Sequence, residues 1–163
     1  MTVLNEIIRT ERLFEQRTRY KRIKDLQGQI KMLAEELQSP GSVKLTDMPK
    51  SQNHFDKQGF LLSKKMELEN ELNRHIKNYR DEDIILNDVI DRISTLPSTP
   101  YGQPYTVYQD ILRYMYMGDF SMKEINKLLN AYREDYEERE EHYLRNLYVW
   151  HDKALTLFEK CQK

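Results

Sequence analysis

Cysteine is almost missing from this chain: Cys161 is the only one. A single thiol cannot close a disulfide within the chain or build a cysteine metal cluster, and it fits a reducing cytosol. Charge of one sign is not in excess either. Twenty-six Lys and Arg stand against 27 Asp and Glu, a formal net charge of −1, so no global field drives nucleic-acid binding. No apolar run approaches the length needed to span a membrane. The opening residues, Met1 to Glu6, lack the basic-then-apolar plan of a signal peptide. There is no glycine-rich phosphate loop and no dinucleotide fingerprint. The four histidines, His54, His75, His142 and His151, sit at no metal-ligand spacing. These absences lead us to expect a cytoplasmic protein that is not an enzyme, needs no cofactor or metal, and does not enter a membrane.

Gly and Pro number five each, 39% of residues are hydrophobic and 33% are charged. That profile fits an all-α protein with a thin core and a large solvated surface. Elongated helices that pair within the chain or with a second copy would compensate for the thin core. From about Thr2 to Gln38 there is no proline. Ile23, Leu26, Ile30, Leu33 and Leu37 recur at the 3,4,3,4 spacing of a coiled-coil seam. Traced backward, that stripe meets Arg19, Gln16, Arg12 and Arg9. Val3, Leu4, Ile7, Ile8, Leu13 and Phe14 form a patch of different phase, which a bend, a new partner or a separate short helix would each explain. Ser39-Pro40-Gly41-Ser42 should stop the helix, and the polar connector continues to residue 59.

A second long helix is predicted from about Phe60 to Thr95. Leu72, Ile76, Tyr79, Leu86, Ile90 and Ile93 hold its stripe, with Asp83 as a polar break. Two matching stripes and a linker long enough to turn back predict an antiparallel hairpin over 1–96. Its seam would close within one chain or support a homodimer. Residues 97–104, with three prolines and a glycine, read as a hinge between domains.

The module over 105–163 follows. Val107, Tyr108, Ile111, Leu112 and Met115 mark a short helix. Gly118-Asp119-Phe120-Ser121 is a turn, and Ser121 with Glu124 fits a capping box. Ile125, Leu128 and Leu129 should face the core, and Asn130 is a stop. Leu144, Leu147, Tyr148, Leu155 and Phe158 mark the inner face of a last helix. Three such helices are the layout of a helix-turn-helix module.

Two surfaces could carry function. In the basic stretch from Arg9 to Lys24, Arg12, Arg19 and Arg22 lie near one helical face and could contact phosphates. The plain alternative is a solvated coiled-coil flank with ion pairs. On the last helix His142, Arg145, Asn146, Val149 and Lys153 lie opposite the apolar face, and Arg and Asn are side chains that pair with guanine and adenine. Just before them stand Glu134, Asp135, Glu137, Glu138, Glu140 and Glu141, whose carboxylates repel phosphate. The tyrosines from Tyr101 to Tyr148 supply contact area at low entropic cost, or simply pack on the small core.

Three segments carry a family resemblance: Ile111-Leu112-Arg113-Tyr114-Met115-Tyr116, Phe120-Ser121-Met122-Lys123-Glu124-Ile125, and Tyr148-Val149-Trp150-His151-Asp152-Lys153-Ala154-Leu155. Their order resembles the sigma-region-4-like end of small phage transcriptional regulators of the ArpU and RinA type, from phages and prophages of Gram-positive bacteria. Ala131 to Glu141 is a longer, acidic insertion relative to that family's short turn. The resemblance implies a DNA-binding transcription regulator. Arg145 and Asn146 would contact bases, His142 would lie beside them, and Lys153 would meet phosphate. Double-stranded DNA, with RNA polymerase or another host protein, would be the partners. The alternative expectation is an adaptor, scaffold or inhibitor of a host protein that uses the acidic, Tyr-rich C-terminal surface.

Overall fold

The computed structural model describes residues 8–38, 56–97 and 103–162. It contains five α-helices and, among the described residues, no strand: α1 (Glu11–Gln38), α2 (Lys57–Arg92), α3 (Tyr105–Leu112), α4 (Met122–Asn130) and α5 (Glu140–Lys160). The all-α fold with a long N-terminal helix pair is as the sequence predicts. The expected stop at 39–42, most of the connector, residues 98–102 of the hinge, and Val3, Leu4, Ile7, His54 and Tyr101 lie outside the described residues.

The chain divides into two compact units, Met1–Tyr20 with Tyr79–Lys163, and Lys21–Asn78. The divisions fall inside the two long helices, whereas the sequence pointed to 97–104. Burial gives the reason. Leu86, Val89, Ile90 and Ile93, one stripe on the last turns of α2, share a core with Tyr108, Ile111, Leu112, Ile125, Leu147, Ala154, Leu157 and Phe158. Leu13 of α1 is fully buried in the same core. The three C-terminal helices therefore bury their apolar faces together with the ends of both long helices. Polar ties follow the packing. Gln109 donates from Nε2 to the Ile90 carbonyl at 2.9 Å, and the Tyr105 hydroxyl donates to the Leu96 carbonyl at 2.5 Å.

The change of phase in α1 is thus a change of partner. Gln16, where the seam fails, is fully buried and donates from Nε2 to the Tyr79 carbonyl at 3.0 Å. An amide here meets the obligation of a buried polar group to find a partner. The Arg12–Glu82 pair and the Gln16–Tyr79 bond set α1 and α2 antiparallel in this unit.

The second unit is the outer part of the hairpin. Ile23, Leu26, Leu33 and Leu61 are buried there, flanked by Arg22–Glu71 at 2.8 Å and Lys57–Glu36 at 3.6 Å. The seam closes within one chain and runs antiparallel. Ile30, Leu37, Leu68, Leu72 and Ile76 are half-buried, as expected where two helices cover each other along one stripe.

Local signals at the C-terminal helices read cleanly. Ser121 caps α4: its side chain accepts from the Glu124 amide at 3.3 Å, and Glu124 Oε2 accepts from the Ser121 amide at 2.7 Å. α3 continues into a π-turn over Arg113–Met117, and Asp119 takes a positive φ of 55°, a conformation aspartate tolerates better than most residues. A Cβ at Gly118 would come within 2.7 Å of the Phe120 ring, which fixes glycine at that turn. Two expectations fail, and the first is Tyr148, which is 53% exposed. The inner stripe of α5 runs through Tyr143, Leu147, Ala154, Leu157 and Phe158, so Tyr148 falls beside it. Leu128 of α4 is also exposed, because Ile125 and Asn126 take the inward positions.

Candidate functional site

The acidic stretch between α4 and α5 is held in place by buried amides. Asn126 and Asn130 are both buried. Asn130 Nδ2 donates to the carbonyl and to Oδ1 of Asn126, at 3.0 and 2.9 Å. Asn126 Nδ2 in turn donates to the Tyr136 hydroxyl at 3.3 Å and to the Glu140 carbonyl at 3.2 Å. The end of α4 is thereby tied to the start of α5 across the turn.

Tyr143 is the second anchor. Its hydroxyl donates to both carboxylate oxygens of Asp135 at 3.0 Å and accepts from Arg133 Nη1 at 3.4 Å. Arg133 lies over the Tyr143 ring at 4.7 Å and Arg139 at 5.7 Å, within reach of the attraction between a cation and an aromatic face. Tyr136 stacks on Tyr143 with ring centres 6.4 Å apart. The Tyr143 hydrogen bond, with Arg139 nearby, holds the Asp135 carboxyl below its ordinary range. The bond to Tyr143 raises the Arg133 guanidinium above its own.

Asp135 is used internally, and Glu134, Glu137, Glu138, Glu140 and Glu141 remain exposed. Glu140 and Glu141 occupy the first turn of α5, where the positive end of the helix dipole favours carboxylates. An open cleft of about 540 Å³ is lined by Glu137, Glu138, Arg139, Glu140, Glu141, His142 and Arg145. Four carboxylates against two guanidiniums make its rim acidic at neutral pH.

The residues expected at DNA divide between these settings. Arg145 and His142 are exposed and line the acidic cleft. Asn146 lies beside His142, with Nδ2 3.4 Å from Nε2, and Lys153 is half-buried one face along α5. Arg12 is engaged by Glu82 through two contacts, 2.6 Å from Nε and 2.8 Å from Nη2. Arg19 donates from Nη1 to Gln16 Oε1 at 2.7 Å. Arg22 pairs with Glu71 in the outer hairpin, and that pairing holds the Glu71 carboxyl below its ordinary range. Of the three arginines expected at phosphate, Arg12 and Arg22 are thus built into ion pairs between α1 and α2.

The tyrosines also separate by role. Tyr108, Tyr116 and Tyr143 are buried, whereas Tyr132 and Tyr148 are 77% and 53% exposed. Among the described tyrosines only the last two offer broad faces to a partner.

A pair that no spacing in the sequence joins lies deeper. The Tyr116 hydroxyl stands 2.6 Å from His151 Nε2, and the edge of Phe14 packs on the Tyr116 ring at 5.2 Å. Burial pushes the Tyr116 hydroxyl up to about 12, and burial lowers His151. Both groups are therefore neutral near pH 7 and share one proton bridge. Cys161 is similarly internal. Its thiol donates to the Val89 carbonyl at 3.3 Å and is pushed up by burial, which suppresses thiolate chemistry. Among the described residues, no group of three or more His, Cys, Asp or Glu could hold a metal ion, and no helix is long and apolar enough to cross a membrane.

Comparison with protein-family models, with curated proteins and with solved structures finds no match. The resemblance to phage regulators therefore rests on its three short segments.

Proposed function

We propose that this chain is a non-enzymatic helical interaction protein whose C-terminal unit binds a basic surface of another protein. The observation that carries the reading is the buttressed acidic turn. Buried Asn126 and Asn130 and the Asp135–Tyr143–Arg133 network fix the backbone of 131–140, while five glutamates around it stay exposed. A preorganised charged surface loses little entropy on association and steers an oppositely charged partner. Exposed Tyr132 adds an aromatic contact at its edge. The test is fluorescence anisotropy with a labelled Lys/Arg-rich peptide. Binding should be salt-sensitive and should be lost when Glu137, Glu138, Glu140 and Glu141 are replaced together by Gln. Equal binding by that variant would sink the reading.

The second reading is the DNA-binding regulator, favoured by one observation: Arg145 is exposed on the same face of α5 as His142 and Asn146. There Arg145 and Asn146 would reach base edges and Lys153 would meet phosphate. Against it stand the carboxylates that share the cleft with Arg145 and the internal engagement of Arg12, Arg19 and Arg22. Arg145→Glu should abolish duplex binding under this reading and leave basic-peptide binding intact under the first.

A further inference from the structure

The inner stripe of α5 is spent on the C-terminal core. The opposite stripe faces outward. At 3.6 residues per turn, Glu141, Arg145, Tyr148, Val149, Asp152 and Thr156 fall along one line of the helix, and all six are exposed. Polar residues are what a solvated face should carry. Tyr148 and Val149 break that rule: they stand side by side in the middle of the stripe, 53% and 50% exposed. One turn before them is Arg145, and one turn after them is Asp152. Among the described residues no ion pair takes up the Arg145 guanidinium. The Asp152 side chain is 85% exposed, and its carboxylate stands 3.7 Å from Nδ1 of His151, which burial keeps neutral near pH 7. That contact leaves the aspartate's charge uncompensated.

This stripe is complementary to itself when reversed. Two copies of α5 that cross antiparallel between positions 148 and 149 set Tyr148 of one against Val149 of the other. Arg145 then meets Asp152, and the two-fold axis makes both contacts twice. Further out, Glu141 meets the uncharged Thr156, so no like charges face each other within two turns of the crossing. The next residue along, Glu159, lies about 16 Å from the crossing, where helices that pack at an angle have parted. Its counterpart position, 138, precedes the helix. A parallel pair would instead set Arg145 on Arg145 and Asp152 on Asp152, which like charges disfavour.

We infer that the outward face of α5 centred on Tyr148 and Val149 is a self-association surface, on which a second copy of this chain docks antiparallel about a two-fold axis. An isologous contact of this kind needs one self-complementary patch. Burial of the tyrosine ring and the valine supplies the attraction. The two arginine–aspartate pairs, each weak by itself, set direction and register. This surface is distinct from the hairpin seam, which is closed within each chain, and it does not rest on the acidic turn binding a partner. A docked copy occupies Arg145, so self-association and base reading by this face exclude each other.

The test is sedimentation of the full chain at low ionic strength over a concentration series reaching about 1 mM. The wild type should move towards twice the chain mass as concentration rises. Asp152→Arg sets arginine against Arg145 at both symmetric contacts and should raise the dissociation constant about tenfold or more. Arg145→Asp sets aspartate against Asp152 and should do the same. The double variant Arg145→Asp with Asp152→Arg restores opposite charges and should recover the wild-type constant. Tyr148→Ser should weaken the dimer by removing its apolar centre. All three positions are exposed, so unchanged helical circular dichroism separates lost docking from lost folding. A wild type that stays monomeric throughout the series overturns the inference, and so does a dimer indifferent to both single charge reversals. Failure of the double variant to recover the dimer overturns the antiparallel register.

Discussion

The two units use the same two helices in different ways. In the C-terminal unit the ends of α1 and α2 meet three further helices, and fifteen buried residues form one cluster. Among the described residues of the outer hairpin the same helices meet only each other. Their buried residues are reduced to Ile23, Leu26, Leu33 and Leu61, with ion pairs along the edges. A helix pair covers one stripe of each partner, and a third layer is needed before aromatic residues can be enclosed. Tyr108, Tyr116 and Phe158, all fully buried, lie in the C-terminal unit. That unit should resist opening as a whole, and the outer hairpin should open at lower cost.

Core truncation should break this contrast most sharply. Phe158→Ala, in the cluster, is expected to cost about 3–5 kcal/mol and to lower the melting temperature of the C-terminal helices. Leu68→Ala, at a half-buried hairpin position, should cost far less. Calorimetry together with hydrogen exchange resolved along the chain would separate global from local loss.

Gln16→Ala comes next. It removes the donor that Gln16 supplies to the Tyr79 carbonyl and leaves a void beside it. The expected loss is about 1–3 kcal/mol, read from the denaturant midpoint. Ser121→Ala should cost about 1 kcal/mol by removing the cap of α4, with faster amide exchange in its first turn. Smallest should be Arg22→Ala in the outer hairpin. An ion pair as exposed as Arg22–Glu71 is worth about 0–1 kcal/mol, and a larger loss of stability would contradict the modest role assigned to the hairpin's edges.

The Tyr116–His151 pair sharpens the comparison through pH. His151 titrates below its ordinary 6.5 in the folded chain because burial disfavours its charge. The unfolded chain therefore binds the proton more readily, and stability rises with pH across that interval. The contribution is complete above 6.5 and is lost as the pH falls through the folded value. Denaturant midpoints measured from pH 7 downward should fall in the wild type before the carboxylates titrate. His151→Asn should flatten that early slope, and an unchanged slope would remove His151 as its source.

The sequence conveyed these features unevenly. Helix periods, the Ser121 capping box and the Asn130 stop depend on neighbours a few residues apart, so spacing alone revealed them. The single-chain seam was visible as a pattern but not as a choice of partner, since the same 3,4 spacing serves either a hairpin or a dimer. Leu86, Val89, Ile90 and Ile93 were legible as a stripe. Their attachment to the C-terminal helices was not, because it depends on contacts far apart in sequence. The prolines near residue 100 drew attention to a boundary that the packing places elsewhere. At the candidate site the acidic run was plain, but Asn126, Asn130 and Tyr143 as its supports were hidden. A buried amide has no periodic signature. Arg12 and Arg22 showed as a basic stretch, while their partners Glu82 and Glu71 lie in another helix.

The central functional claim is that the C-terminal unit presents a fixed acidic surface to protein and does not present a basic one to DNA. The most direct test is anisotropy of a labelled random-sequence duplex titrated with the full chain across a salt series. The account predicts no binding even at low salt. Tight binding that weakens steeply with salt and disappears in Arg145→Glu would contradict it and establish the DNA-reading face of α5 instead.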